Sequence, residues 1–227
     1  MTTGRSTWGD LTYLLGRYGG EYLASYAVAL RIGVLSFLGG LLLGVALTVL
    51  RISPIPPLRA AVSGYVELFR NVPVLCLLIF VVFALPEVGI VIDYEPCVIL
   101  TLVLVSSAFA CDNLRTGINA IDPGQIEAAR SLGFSFAGIV GSVVLPQALR
   151  NVVQPMVTLF ISVIISSSTG ALVPLAHTEL TGLVSQINTT EALGVPTFLV
   201  AALFYVGTGL LIAAVGRQIE RRVSAWH

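Results

Sequence analysis

Apolar residues fill five stretches of the chain, near 22–50, 61–86, 97–116, 150–173 and 195–216, and polar residues collect in the segments between them. About 20 apolar residues are enough for a helix to cross the hydrocarbon core of a bilayer. The pattern predicts an all-α integral membrane protein with about five transmembrane helices. A segment, 1–21, precedes the first span and a tail, 217–227, follows the last. Residues 22–216 read as one membrane domain, whose longest stretch outside the spans is 117–149.

Breaks in the apolar pattern carry local signals. Arg51-Ile52-Ser53-Pro54-Ile55-Pro56-Pro57 is too rich in proline, and too poor in backbone donors, to continue span one as a regular helix. Asp122-Pro123-Gly124 predicts a helix start, because aspartate suits the N-cap and proline the first turn. That helix carries Glu127-Ala128-Ala129-Arg130, whose alanines leave a surface flat enough for close approach by another protein. Gly133 permits a backbone reversal that a Cβ resists, and separates the helix from a second piece, Phe134 to Val144. Leu145-Pro146 marks the next boundary, since proline disfavours helical geometry in the residue before it. Within span one, Gly40-x-x-x-Gly44 allows close helix approach, and is read as packing rather than as a dimer contact.

Charge gives the spans a direction. Only 11% of residues are charged, against about 25% in soluble domains, and the formal net charge of zero hides an asymmetry. Arg51 and Arg59 lie between spans one and two; Arg115, Arg130 and Arg150 between three and four; Arg217, Arg221 and Arg222 in the tail. The other two connections, 87–96 and 174–194, hold acidic residues and no arginine. Positive residues favour the cytoplasmic side, which places the N-terminus outside, the C-terminus inside and the 117–149 loop in the cytoplasm. Arg5 and Arg17 run against this bias. No basic cluster is dense enough to imply a nucleic-acid partner. The first 21 residues lack a charged start, apolar core and cleavage site, so no removable signal peptide is expected and span one serves as the insertion signal.

Cys76, Cys97 and Cys111 are scattered without C-x-x-C spacing, and His177 and His227 stand alone, so neither a metal nor a redox site is expected. The spans hold no nucleophile-base pair, which argues against a membrane-embedded enzyme.

Several of these motifs together resemble the permease subunits of bacterial ABC importers. There an E-A-A block, a glycine four residues after the second alanine and a terminal I-x-L-P recur in the last large cytoplasmic loop. Here the residues are Glu127-Ala128-Ala129, Gly133 and Val143-Val144-Leu145-Pro146, with Val143 in place of isoleucine. The resemblance runs from about residue 30 to the C-terminus and points to the polar amino acid branch. Glu67-Leu68-Phe69-Arg70-Asn71-Val72-Pro73, with Leu85-Pro86 beyond it, is similar to the branch pattern E-x-x-R-G-T-P followed by L-P. Cys111-Asp112-Asn113-Leu114-Arg115-Thr116-Gly117-Ile118 is similar to A-E-x-x-R-x-G-I, with aspartate for glutamate. Span four departs: many relatives carry a lysine-aspartate-threonine-serine cluster where this chain reads Ser166-Ser167-Ser168-Thr169.

The resemblance implies a type I importer-like permease fold in the bacterial cytoplasmic (plasma) membrane. It implies a second permease subunit, either a copy or a homologue, with substrate crossing at the interface between the two. It also implies an ATP-binding cassette ATPase dimer, holding ATP and magnesium, and an extracytoplasmic solute-binding protein. This chain has no G-x-x-x-x-G-K-[ST] phosphate loop, so no cofactor is assigned to it and hydrolysis is expected in the partner. Glutamate is the leading amino acid substrate, with glutamine, arginine or histidine as alternatives. Glu127, Ala128, Ala129, Gly133, Leu145 and Pro146 are the expected ATPase-coupling residues. Asp112 and Asn113, the Ser166, Ser167, Ser168 and Thr169 hydroxyls, and Arg31 are candidates for the substrate path. Each has a plainer role beside it: an interface anchor for Asp112 and Asn113, helix back-bonding for the hydroxyls, snorkelling to the outer surface for Arg31. Glu67 and Arg70, three apart on a helix, are expected to pair with each other. A different reading, a stand-alone helical channel or secondary transporter, calls for midplane charges or inverted repeats with broken helices.

Overall fold

A computed structural model describes residues 7–224, apart from the side chains of Thr7, Trp8, Phe136, Ala137, Val140, Leu145 and Ser224. Every regular element among the described residues is helical. In chain order they are α1 (Thr7–Arg51), α2 (Pro56–Asn71), α3 (Val74–Ile79), a π turn (Phe80–Ala84), α4 (Leu85–Glu87), α5 (Tyr94–Asn119) and α6 (Pro123–Ser131). There follow α7 (Phe136–Ile139), a second π turn (Val140–Val144), α8 (Leu145–Ser166), a 3-10 segment (Ser167–Leu172), α9 (Leu180–Glu191) and α10 (Val195–Ser224). Four of the helical stretches are long and apolar enough to cross a membrane: α1, α5, α8 with its 3-10 extension, and α10. The pair formed by α2 and Val74–Glu87 passes the same test as one broken span.

That break corrects the reading of 61–86 as a continuous helix, since the two pieces meet at 105°. The cause is Pro73. Its ring keeps Val72 out of the helical region, and Val72 is extended at φ −83°, ψ 127°. Pro73 is extended as well and starts α3 as its N-cap. The end of α2 is closed by the Val72 N–H donating to the Leu68 carbonyl, and by the Asn71 amide donating to the Glu67 carbonyl at 2.6 Å.

Each Leu-Pro pair follows a π turn, and at Leu145-Pro146 this differs from expectation. Leu145-Pro146 does not end a helix: α7 passes through a π turn into α8, and Pro146 is the second residue of α8. Leu85-Pro86 is likewise preceded by a π turn of 5 residues, Phe80–Ala84. A proline inside a helix supplies no N–H and crowds the carbonyl four residues back. Widening the preceding turn to i→i+5 bonding lets the helix absorb that loss without stopping.

Helix α1 begins well before the expected span. At 1.5 Å per residue its 45 residues extend about 68 Å, more than twice the roughly 30 Å of a hydrocarbon core. The 174–194 connection between spans also contains a helix, α9.

The chain forms two compact units. The first comprises residues through Phe37, Pro73–Leu102 and Ser162–Leu210; the second comprises Leu38–Val72, Val103–Ile161 and the chain from Leu211. In the first unit, Leu180, Leu183, Val184 and Ile187 line one face of α9 and pack with Leu14, Tyr22 and Ala29 of α1 and Val200 and Ala201 of α10. A second cluster joins Val28 and Ile32 of α1, Leu78 of α3, Val81 and Val82 in the π turn, and Cys97, Val98 and Leu102 of α5. Arg17, which runs against the charge bias, lies 3.6 Å from Glu191, a carboxylate that also accepts from the Tyr18 hydroxyl at 2.7 Å.

In the second unit, Val62 and Val66 of α2 pack with Leu47 of α1 and Ala108 and Cys111 of α5. The Tyr65 hydroxyl lies 2.7 Å from Ser107 Oγ. Gly40-x-x-x-Gly44 forms the seam between α1 and α5: a Cβ on Gly40 would fall 1.9 Å from Ser106 Oγ, and one on Gly44 2.6 Å from the Ala110 Cβ and 3.0 Å from the Ser107 carbonyl. Because backbone lies against Gly44, the seam cannot open by a rotamer change alone. Gly44→Leu is therefore expected to cost about 1–3 kcal/mol through overpacking. The check is the melting temperature of the purified protein in detergent; an unchanged value contradicts the seam.

Candidate functional site

The loop expected to dock a partner folds as its sequence dictates. Asp122 is the N-cap of α6, extended at φ −61°, ψ 122°, and its carboxylate accepts from the Gly124 N–H at 2.8 Å. Pro123 occupies the first turn, where a missing N–H costs nothing. At the other end Gly133 is left-handed, φ +81°. Its N–H donates to the Arg130 carbonyl at 3.0 Å while the Phe134 N–H reaches back to the Ala129 carbonyl at 3.2 Å. This is the two-bond Schellman closure, and the left-handed residue it requires explains the glycine.

The helix presents two different faces. Glu127 and Ala128 are exposed, whereas Ala129 is 6% exposed and packs inward. Only one alanine of the pair therefore offers the flat outer surface. Leu132, at 79% exposure, and the exposed Phe134 flank Gly133 on either side. Sequence reading did not single out these two; apolar residues next to a predicted reversal were the available signal. A hydrogen bond of 2.6 Å from the Gln147 amide to Gln125 Oε1 ties α6 to α8. Pro146 is half-buried at the start of α8, and the side chain of Leu145 lies outside the described residues.

The substrate-path candidates are dispersed. Asp112 on α5 lies between two guanidiniums: Arg51 Nη1 is 3.2 Å from its Oδ1 and Arg70 Nη1 2.6 Å from its Oδ2. Arg70 thus pairs across to α5 and not with Glu67. The Asn113 amide donates to the Pro155 carbonyl at 3.5 Å. Ser167 is fully buried and donates to the Ile164 carbonyl at 2.7 Å, and Thr169 donates to the Ser166 carbonyl at 2.8 Å. These two hydroxyls serve their own turns, where α8 tightens into the 3-10 segment; Ser166 and Ser168 are half-buried. Arg31 does more than reach a surface, since its Nη2 is 2.6 Å from Glu95 Oε2. The pair borders a cavity of about 700 Å³ that Asp93 and His177 also line.

A buried carboxyl escaped the sequence reading. Glu179, 1% exposed, precedes α9 as its N-cap. It accepts from the Thr181 N–H at 3.0 Å, from the Gly182 N–H at 3.3 Å, and from the Tyr205 hydroxyl of α10. The signal was available in Leu180-x-x-Leu183-Val184-x-x-Ile187, a helical period directly after an acidic residue. Burial raises the Glu179 carboxyl above the ordinary carboxylate range, and the hydrogen bonds from Tyr205, Thr181 and Gly182 oppose that rise. The folded chain then keeps this proton to higher pH than the unfolded chain does. The stability associated with it is complete below the ordinary carboxylate range and is lost as pH rises through the folded value. Melting temperatures in detergent are expected to carry this fall with rising pH, and Glu179→Gln, which keeps an acceptor for the cap, is expected to remove it. An identical pH profile for the variant contradicts the assignment.

The chain as a whole is similar to known proteins. Residues 36–225 match the family described as "Binding-protein-dependent transport system inner membrane component". A probable glutamine ABC transporter permease protein, GlnP of Bacillus subtilis, is 35% identical over 215 residues, covering 92% of this chain and 98% of the relative. The glutamate transport system permease protein GluC of Corynebacterium efficiens is 29% identical over 221 residues, covering 92% of each chain. Among solved structures, an amino acid ABC transporter with histidines superposes with a TM-score of 0.85 at 27% identity, covering 92% of this chain and 96% of the other. The MetNI methionine ABC transporter in an inward-facing conformation gives 0.68 at 27% identity, covering 94% and 98%.

Proposed function

We propose a substrate and a coupling surface from one premise: the chain belongs to the binding-protein-dependent transport system inner membrane component family, as the non-catalytic, multi-pass inner-membrane permease subunit of an amino acid ABC importer. The substrate is an amino acid of the glutamine and glutamate class, and glutamine takes precedence over glutamate. The observation that carries this order is the run Ser166 to Thr169, which holds no cation: Ser166 and Ser168 are half-buried, while the Ser167 and Thr169 hydroxyls are bonded within their own turns. A γ-carboxylate entering such surroundings needs a paired positive charge, whereas an amide is matched by hydroxyl donors and acceptors. The relative named for glutamine at 35% identity and the one named for glutamate at 29% support the class. Uptake of labelled glutamine into proteoliposomes holding the complete importer and its solute-binding protein is expected to be competed by excess glutamine and only weakly by glutamate. Stronger competition by glutamate overturns the order.

Helix α6 faces the cytoplasm in this reading and seats in an ATPase subunit, with a second permease, copy or homologue, completing the translocation path. Glu127 offers a carboxylate to a basic residue of that partner; Ala128, Leu132 and Phe134 supply the apolar contact; Gly133 sets the reversal that exposes them. The inward Ala129 and the Gln147–Gln125 hydrogen bond hold the helix to its own chain. Charge-assisted hydrogen bonds contribute about 1.5–3 kcal/mol, so Glu127→Lys is expected to lower uptake roughly ten- to a hundred-fold. Gly133→Arg, which places a Cβ at a positive φ, is expected to act in the same direction. Both variants should remain in the membrane. Uptake at the unaltered rate with the ATPase still co-purifying contradicts the coupling role.

A further inference from the structure

Two motifs far apart in the sequence meet at one carboxylate. Arg51 is the last residue of α1, Arg70 lies in the last turn of α2, and Asp112 sits two turns before the end of α5. Each Asp112 oxygen takes one guanidinium, at 3.2 Å and 2.6 Å. The Arg51 side chain is 11% exposed and that of Asp112 27%, so water screens this group only in part. Arg70 also lies over the Phe109 ring, 5.3 Å from its centroid. The cluster carries one surplus positive charge, so loss of Asp112 leaves two arginines facing each other with nothing between them. Such an arrangement costs more than the loss of one surface ion pair.

Its position matters because it adds a charged tie at the last turn of α2, beyond the apolar packing of Val62 and Val66 and the Tyr65 hydrogen bond. The proline connector separates α2 from α1, and the 105° break lies two residues beyond Arg70. The end of α2 next to that break is held by Arg70 on Asp112 and Phe109, beside Phe69, which packs against the cluster of α1, α2 and α5. On the other side, α5 is locked to α8: a Cβ on Gly117 would fall 2.3 Å from Val152 Cγ2, and the Asn151 amide donates to the Gly117 carbonyl at 3.5 Å. Helix α8 is bonded to α6 through Gln147 and Gln125. A continuous set of close contacts therefore leads from α6 through α8 and α5 to Asp112, and from there to the ends of α1 and α2.

We infer that Asp112 is a positioning residue for transport: clasped by Arg51 and Arg70, it holds the end of α2 to α5, so that displacement of α6 reaches α2. The inference rests on the reading of α6 as the ATPase-coupling helix. It assigns Asp112 a mechanical task and no contact with substrate.

The test uses the complete importer in proteoliposomes with its solute-binding protein. Asp112→Asn is expected to lower amino acid uptake about tenfold while ATP hydrolysis by the same complexes changes by less than about twofold, so that more ATP is consumed per amino acid moved. Asp112→Glu, which keeps the charge, is expected to restore the wild-type ratio. An unaltered ratio in Asp112→Asn, whether both rates persist or fall in proportion, overturns the inference. The clasp is also read without transport, from melting temperatures of Arg70→Gln, Asp112→Asn and the double variant. The double variant is expected to lose less than the sum of the single losses, and strict additivity overturns the clasp. Were wild-type complexes to hydrolyse ATP without uptake, the importer reading would fall while the melting data still decided the clasp.

Discussion

A backbone amide with no hydrogen-bond partner has nowhere to find one in lipid, and the fold is organised around that fact. Long helices satisfy the amides of α1, α5, α8 and α10 internally. The informative places are those where the sequence forbids the regular pattern. Pro86 and Pro146 are absorbed by widened turns before them, whereas Pro73 breaks the chain outright because the residue before it is driven to an extended conformation. The same residue type thus gives a bulge in two places and a bend of 105° in a third. At the cytoplasm-facing helix of the proposed orientation, the orphan carbonyls are taken up by the turn at Gly133. That requirement fixes both the glycine and the outward display of Leu132 and Phe134.

Charge follows the same economy. Four of the carboxylates on or beside the helices are held by specific partners: Asp112 by Arg51 and Arg70, Glu95 by Arg31, Glu191 by Arg17 and two tyrosines, Glu179 by Tyr205 and two backbone amides. None of these pairings is between near neighbours in sequence except the helix cap at Glu179. Each therefore cross-links elements that local hydrogen bonding leaves independent. The polar residues of this chain are few, and the structure uses them as fasteners between helices.

Much of this was legible in the chain itself. Hydropathy located the spans, and the Asp122-Pro123 start and Gly133 stop of α6 followed from capping chemistry that acts over a few residues. The family was visible in the same loop, because its motif is local. What stayed hidden was set by contacts between segments distant in sequence. Arg70 looked like a partner for Glu67 three residues away, and only the approach of α5 brings Asp112 closer. The bend at Val72-Pro73 was masked by unbroken hydropathy on both sides, although the proline itself announced it. Helix α9 lies in a connection whose charge stands out in the sequence, while the period from Leu180 to Ile187 carries the structural information.

Coupling through α6 requires this helix to lie on the side of the membrane where ATP is hydrolysed. Glu127→Cys in a background with Cys76→Ser, since Cys76 is the exposed cysteine among the three, gives a single reporter on that helix. Labelled with a membrane-impermeant maleimide, it should react in inside-out vesicles and stay unreactive in intact cells. Reaction in intact cells would place α6 outside and contradict the coupling mechanism at its root.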